Sequence, residues 1–254
     1  MKIGIIGYGV VGKAIANSYD KEPKYKVEIY DPMLGFNSDV SDCDAVFVCV
    51  PSPSLPDGAC DSSILESALQ RLGEFKGVII SKTTATPDVY IRLQKQYPNL
   101  VHAPEFLTQN NAREDYQNGR LLVLGGNEWY RIVAHGIIKQ SVFKTDVFYT
   151  DIGTASLFKY IVNSFLATKV IAMNQYRALA DSMGLDWSEL AKMLAGDPRI
   201  GSSHLQVPGP DGQFGFGGMC FPKDIEALLN YAERQNINLE LLSKVVNINN
   251  TLRK

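Results

Sequence analysis

The segment Lys2-Ile-Gly-Ile-Ile6 breaks directly into Gly7-Tyr8-Gly9-Val10-Val11-Gly12 and then into a stretch of helical spacing from Lys13 to Tyr19. A strand, a glycine turn and a helix in that order leave few folds open. Gly7 allows the tight turn, Gly9 lets a pyrophosphate approach the backbone, and Gly12 lets helix and strand pack closely. The pyrophosphate of a dinucleotide then sits on the N-terminus of the helix, with Tyr8, Val10 and Val11 completing the cofactor turn. Asp31 ends the next strand, where an acid accepts hydrogen bonds from the adenosine ribose hydroxyls. It also repels a 2'-phosphate, and the Pro-Met-Leu-Gly-Phe that follows brings no arginine to welcome one. NAD is therefore preferred over NADP, although the fingerprint alone leaves FAD open.

Further β-rich runs cover Lys26 to Tyr30, Ala45 to Val50, Gly77 to Ser81, Leu100 to His102 and Leu121 to Leu124, with helix-compatible stretches at Ser63 to Leu72 and Pro87 to Gln96. Repeated strand and helix with continuous apolar strands implies a sheet covered on both faces. The first 150 residues are thus expected to form an α/β domain, a doubly wound, mostly parallel Rossmann sheet. From about Asp151 the character changes. Ala155 to Met183 is one long run of helix formers, followed by helical spacing at Trp187 to Leu194 and Asp224 to Arg234. Residues 151–254 are expected to form a smaller, all-helical domain. Between its helices, Val207 to Asp224 carries too many glycines and prolines to be an element, and it reads as an ordered loop able to wrap a ligand with its backbone.

Composition narrows the function. With 45% hydrophobic and 20% charged residues the chain is an ordinary globular one, and a net charge of -2 gives no electrostatic footprint for nucleic acid. No apolar stretch approaches the roughly 20 residues that span a bilayer, and the apolar start reads as a strand rather than a signal sequence. A cytoplasmic protein acting on a small molecule, with no nucleic acid and no membrane as partner, is expected. Cys43, Cys49, Cys60 and Cys220 show neither a C-x-x-C pair nor a histidine at zinc-ligand spacing, which leaves each as a core residue or a reactive thiol and indicates no metal. An isolated cysteine is most often a small buried hydrophobe. Cys220, in a glycine-rich loop beside Lys223 and Asp224, instead has the surroundings of a nucleophile.

At this loop the sequence resembles a known family. Phe214-Gly-Phe-Gly-Gly-Met-Cys-Phe-Pro-Lys-Asp224 looks like the signature of the UDP-glucose/GDP-mannose dehydrogenases, which oxidise a nucleotide sugar's primary alcohol to a carboxylate with two NAD. Val50-Pro-Ser-Pro53, Pro104-Glu-Phe-Leu107 and Lys159-Tyr-Ile-Val-Asn-Ser-Phe-Leu-Ala-Thr-Lys169 agree with it, in the family's order. The resemblance implies that Cys220 captures the intermediate aldehyde as a thiohemiacetal, which is then oxidised to a thioester and cleaved by water. It implies that Lys159 and Asn163 stabilise the oxyanion, and their i, i+4 spacing independently puts them on one helix face. It further implies that Glu105 and Asp224 handle protons and place the hydrolytic water, and that Thr84 helps hold that water. Pro51, Thr84 and Lys223 are expected beside the cofactor. Glu105, Phe106, Leu107, Lys159, Asn163, Phe214, Gly215, Gly217 and Cys220 are expected against the substrate. Arg199 matches an arginine that reaches across a homodimer interface, which places the dimer contact on the long helix starting near Ala155.

Simpler readings stand beside these: a solvated surface lysine for Lys159, and helix caps for Asp224, taken as the start of a helix, and for Thr84, close to Pro87. The sequence also departs from the pattern. Family members normally continue past the equivalent of Lys254 into another nucleotide-binding domain, so this short form is expected to grip the nucleotide less tightly unless another chain completes the site. Gln109 stands where the family often has an acid, which would slow thioester hydrolysis, and Met219 replaces the usual serine. Two other functions remain open: a two-domain NAD-dependent hydroxyacid-type dehydrogenase, and a non-catalytic NAD or nucleotide-sugar binding protein.

Overall fold

The computed structural model describes residues 1–20, 23–107, 112–142 and 145–254. They form two compact units, one of Met1–Leu55 with Cys60–Lys159, the other of Pro56–Ala59 with Tyr160–Lys254.

The first unit is built on eight strands: β1 (Lys2–Ile6), β2 (Lys26–Asp31), β3 (Phe36–Asn37), β4 (Ala45–Val48), β5 (Val78–Ser81), β6 (Leu100–His102), β7 (Leu121–Gly126) and β8 (Asp146–Thr150). They lie in the order β3-β2-β1-β4-β5-β6-β7-β8. Neighbours pair in parallel except β2 with β3 and β6 with β7. This is the expected doubly wound, mostly parallel sheet. The central strands are apolar throughout because both faces are covered. Ala45, Phe47, Val78 and Ile80 face one core with Ile15, Tyr19 and Ile137, whereas Val46, Val48 and Ile79 face the other with Leu65, Leu69 and Leu93.

The helices follow from the same arithmetic. α1 (Val10–Tyr19), α4 (Ala112–Asn118) and α5 (Glu128–Ile138) cover the first face, and α2 (Ser63–Leu72) and α3 (Pro87–Gln96) the second. In α2 the buried residues Leu65, Ala68, Leu69 and Leu72 recur at i, i+3, i+4 and i+7. Leu65 and Leu69 are fully enclosed, each worth about 1.5–3 kcal/mol against exposure. α3 starts on Pro87, whose fixed φ and missing N–H suit a first helical position. The carboxyl ends of β1, β2, β4, β5 and β6 run into Gly7, Asp31, Cys49 to Pro51, Lys82 to Thr84 and Ala103 to Phe106. In an open α/β sheet this edge is where ligands bind.

The second unit is helical, as expected. α6 (Ile152–Ser182) begins in the last residues of the first unit and is followed by α7 (Trp187–Gly196), α8 (Phe221–Arg234) and α9 (Glu240–Leu252). Asp186 caps α7 by accepting the Ser188 N–H at 2.8 Å. Met173, Ala180, Trp187, Leu205 and Val207 form a core. One expectation is corrected here: Asp224 does not begin a helix. α8 starts at Phe221 with Cys220 as its N-cap, because Pro222 is well placed in a first turn, and Asp224 lies one turn inside.

Candidate active site

The glycine turn is closed by main-chain atoms at two points and open at the third. Gly7 has φ +90, and a Cβ there would stand 2.7 Å from the Cys49 carbonyl oxygen. A Cβ on Gly12 would stand 2.0 Å from the oxygen of Gly7. A Cβ on Gly9 would meet nothing within 4 Å among the described residues, and none of their side chains caps α1. The uncapped helix start and the clear approach over Gly9 fit a pyrophosphate. Asp31 receives the Tyr8 N–H on Oδ2 at 2.7 Å and the Leu34 N–H on Oδ1 at 3.3 Å. A carboxylate has about four acceptor positions, so capacity remains for ribose hydroxyls. Tyr8 packs edge-on against Phe36 with centroids 4.9 Å apart. Val10 and Pro51 are exposed, and Val11 packs against the core. These residues fit NAD.

Also in the first unit, a charged cluster forms where β5 and β6 end. Glu105 is pinned at both carboxylate oxygens. Oε2 lies 3.1 Å from the ammonium of Lys82, and Oε1 accepts the Phe106 N–H at 2.8 Å. The Lys82 side chain is only 3% exposed, so this is a buried ion pair whose ends depend on each other. Lys159 is buried, not a surface lysine; its ammonium donates to the Glu105 carbonyl at 2.5 Å and lies 4.9 Å from the Phe106 ring centre. His102 is no proton carrier here, since burial, reinforced by Lys82 and Lys159, lowers its pKa to about 3. Thr84 is half-buried, and its carbonyl accepts the Cys60 thiol at 3.6 Å. Thr86, not Thr84, is the residue preceding α3 at its cap. Leu107 packs against the first core. Gln109, with residues 108–111, lies outside the described residues.

In the second unit, Cys220 is exposed at the start of α8. Burial pushes the thiols of Cys49 and Cys43 up to about 12 and about 11. One turn on, the Asp224 N–H donates to the Cys220 carbonyl at 3.0 Å. The Asp224 carboxylate is buried and takes one hydrogen bond from Asn163 Nδ2 at 2.6 Å and one from Lys223 Nζ at 2.5 Å. Asn163 is itself buried. It is an orienting partner of Asp224 and keeps a second amide hydrogen to give. Lys223, expected at the cofactor, spends its charge on Asp224.

The glycine loop is held from inside. The Gly215 N–H donates to Asn174 Oδ1 at 2.9 Å, and the Phe216 N–H to Asn249 Oδ1 at 2.7 Å. Arg253 donates to Asp211 at 2.8 Å and to the Gly215 carbonyl at 3.3 Å. Phe214 is turned out and exposed. Arg199 is exposed and folds back on Asp197, with Nη2 2.6 Å from the carboxylate; that pairing holds the Asp197 carboxyl below its ordinary range. The path of this segment is set by Lys169, whose ammonium donates to the carbonyls of Ile200, Gly201 and Ser203.

Lys82, Asn174, Asn249 and Arg253 have no place in the sequence reading. Lys82 had a signal, a lysine among small polar residues directly after an apolar strand. The other three are long-range partners that no local pattern marks. Among the described residues, no group of three or more His, Cys, Asp or Glu is arranged to hold a metal, and no helix is long and apolar enough to cross a membrane.

Residues 26–143 match the NAD binding domain of the UDP-glucose/GDP-mannose dehydrogenase family, and residues 153–251 match its central domain. YtcA of Bacillus subtilis is 30% identical over 298 residues, covering 99% of this chain and 68% of that protein. The UDP-glucose 6-dehydrogenase of Rickettsia felis is 32% identical over 228 residues, covering 84% of this chain and 49% of the enzyme. The chain therefore spans between about half and two thirds of these relatives. A UDP-glucose dehydrogenase from the archaeon Pyrobaculum islandicum shares the fold, with a TM-score of 0.84 at 22% identity over 98% of this chain and 68% of that one.

Proposed function

This chain belongs to the UDP-glucose/GDP-mannose dehydrogenase family of NAD-dependent nucleotide-sugar dehydrogenases, and on that premise we propose that it oxidises the primary alcohol of a UDP-glucose-like nucleotide sugar to the uronic acid through covalent stages at Cys220. The observation that carries this reading is Cys220 itself, exposed at the first turn of α8 with a buried, doubly hydrogen-bonded carboxylate one turn behind it. A simple alcohol dehydrogenase needs no such thiol.

In this reading the first oxidation gives an aldehyde, and the Cys220 sulfur adds to its carbonyl carbon. The new S–C bond forms as the carbonyl π electrons move to oxygen, where Lys159 and the remaining amide hydrogen of Asn163 donate to the developing charge. Oxidation of that thiohemiacetal leaves a thioester. Water then attacks the thioester carbon, the C–S bond breaks, and the carboxylate leaves with the thiol restored. Glu105 and Asp224 receive protons released along the way, and Thr84 helps to hold the water. NAD held at the Gly7 to Gly12 turn would supply the hydride acceptor for each of the two oxidations. Covalent capture keeps the reactive aldehyde from escaping between them. Residues 1–150 serve as the NAD domain in this scheme, and 151–254 as the substrate and dimerisation domain. Phe106, Leu107, Phe214, Gly215 and Gly217 line the sugar nucleotide.

A homodimer in the cytoplasm is the matching assembly. Ile161, Phe165, Tyr176 and Leu179 leave an exposed apolar stripe along α6, continued by Met183 just past its end, with Phe165 68% exposed. A helix face of that kind calls for cover. A solution mass of one chain by light scattering would remove the dimer, and with it the role of Arg199 across an interface.

The deciding assay follows NADH per sugar over a panel of UDP- and GDP-sugars, beside Cys220→Ala. Two NADH per sugar, lost in the variant, is the expected result. One NADH from a small hydroxyacid, unaffected by the variant, would overturn it, as would tight binding without turnover.

A further inference from the structure

Two of the glycines between Phe214 and Cys220, Gly215 and Gly217, have side chains of the same unit filling the space beside them, and Gly215 also has φ +72. A Cβ on Gly215 would stand 2.4 Å from Asn249 Oδ1, and a Cβ on Gly217 2.5 Å from Arg253 Nη1. Asn249 lies in the last turn of α9 and Arg253 caps its end. Asn174 and Asn249 are buried carboxamides that draw two consecutive N–H groups, Gly215 and Phe216, inward. Arg253 spans the loop from Asp211 to the Gly215 carbonyl, and its Nε is buried with no hydrogen-bond partner among the described residues. A buried unpaired N–H is costly, so this guanidinium is placed for its fork and its shape rather than for full hydrogen bonding. Phe216 is the last residue of the loop held by these hydrogen bonds, and Gly217, Gly218 and Met219 separate it from Cys220, with Arg253 packed beside Gly217.

We propose that Arg253, with Asn249 and Asn174, is a positioning device for the nucleophile loop, fixing where the backbone delivers Cys220. The inference rests on the reading of Cys220 as the working thiol, but not on which sugar is oxidised. It also divides the loop. The Gly215 and Phe216 amides are taken up internally, so a ligand draws backbone N–H groups only from Gly217 onward, and Gly215 lines it without donating.

The test compares Arg253→Ala, Arg253→Lys and Gly217→Ala in the full chain. Amide hydrogen exchange reads the device directly: in Arg253→Ala the amides of 215–220 should exchange at least about tenfold faster, with those of α6 unchanged. Alkylation of Cys220 by iodoacetamide, which needs no turnover, should quicken at least threefold, roughly the least that marks a repositioned thiol. Where a nucleotide sugar is turned over, kcat should fall more than KM rises. Gly217→Ala pushes Nη1 aside and should reproduce these effects, and adding Arg253→Ala to it should change little more, since the two act on one contact. Arg253→Lys keeps the charge facing Asp211 but loses the fork, and should recover only part. Faster exchange with unchanged Cys220 alkylation would reduce Arg253 to a structural residue and overturn the proposal, as would full additivity of the two substitutions. A chain that turns over no sugar yet shows the exchange and alkylation changes would sink the proposed activity and leave the device standing.

Discussion

Two glycine-bearing segments sit at the two ends of this chain's chemistry, and they need glycine for different reasons. At Gly7 to Gly12 the obstacle is the backbone: a side chain would strike the Cys49 and Gly7 carbonyl oxygens, which cannot move without breaking the strand-to-helix turn. At Gly215 and Gly217 the obstacles are the tips of Asn249 and Arg253. The first arrangement is rigid, since both obstacles are main-chain atoms, one of them brought in from the end of β4. The second is assembled from residues far apart in the chain and can yield. A motif glycine therefore reports either on the turn it makes or on a partner it accommodates.

The largest effect tests the rigid case. Gly12→Ala should destabilise the chain by about 3 kcal/mol or more, since overpacking against backbone finds no relief; an unchanged urea midpoint would show that the turn yields after all. Next comes Asn249→Ala, which leaves the buried Phe216 N–H without its acceptor and should cost about 1–3 kcal/mol in the same measurement. Gly9→Ala sharpens the contrast, because its Cβ meets no described atom within 4 Å. Stability should stay within about 0.5 kcal/mol while NAD affinity, read by titration, drops about tenfold, or about 1.4 kcal/mol.

The smallest effect lies at the latch between Asp211 and Arg253. The guanidinium holds the Asp211 carboxyl below its ordinary value of 3.8. A depressed carboxyl stabilises fully above its unfolded pKa and loses that contribution as pH falls through the folded one. The gap in unfolding midpoint between wild type and Asp211→Asn should therefore be present at pH 7 and close below pH 3.8. The pair is partly exposed, so the gap should also shrink with salt.

What could be read in advance follows the same division. β1, α2, α3 and β6 were legible to the residue, because apolar period and turn residues are local signals. β8 was not: it is an edge strand whose residues are exposed or half-buried, and it lacks the apolar run that marked its neighbours. α9 escaped because Asn247, Asn249 and Asn250 dilute its apolar period, yet Asn249 is there for a loop more than thirty residues away. Lys159 and Asn163 could be singled out because polar groups inside an apolar segment need a reason, and Asp224 because the family resemblance implies an acid there. The partners that supply it, Glu105 for Lys159 and Asn163 for Asp224, are set by tertiary structure. Lys82 is the plainest omission. Its place among small polar residues directly after an apolar strand was a signal, but its pairing with Glu105 is set by tertiary structure.

Lys169 carries a different kind of consequence. One ammonium gathers three main-chain carbonyls, those of Ile200, Gly201 and Ser203, and asks nothing of the side chains between them. The course of that stretch is thereby uncoupled from its identity. A position such as Ser202 can be exchanged over evolutionary time while a single residue on α6 keeps that stretch of backbone in register.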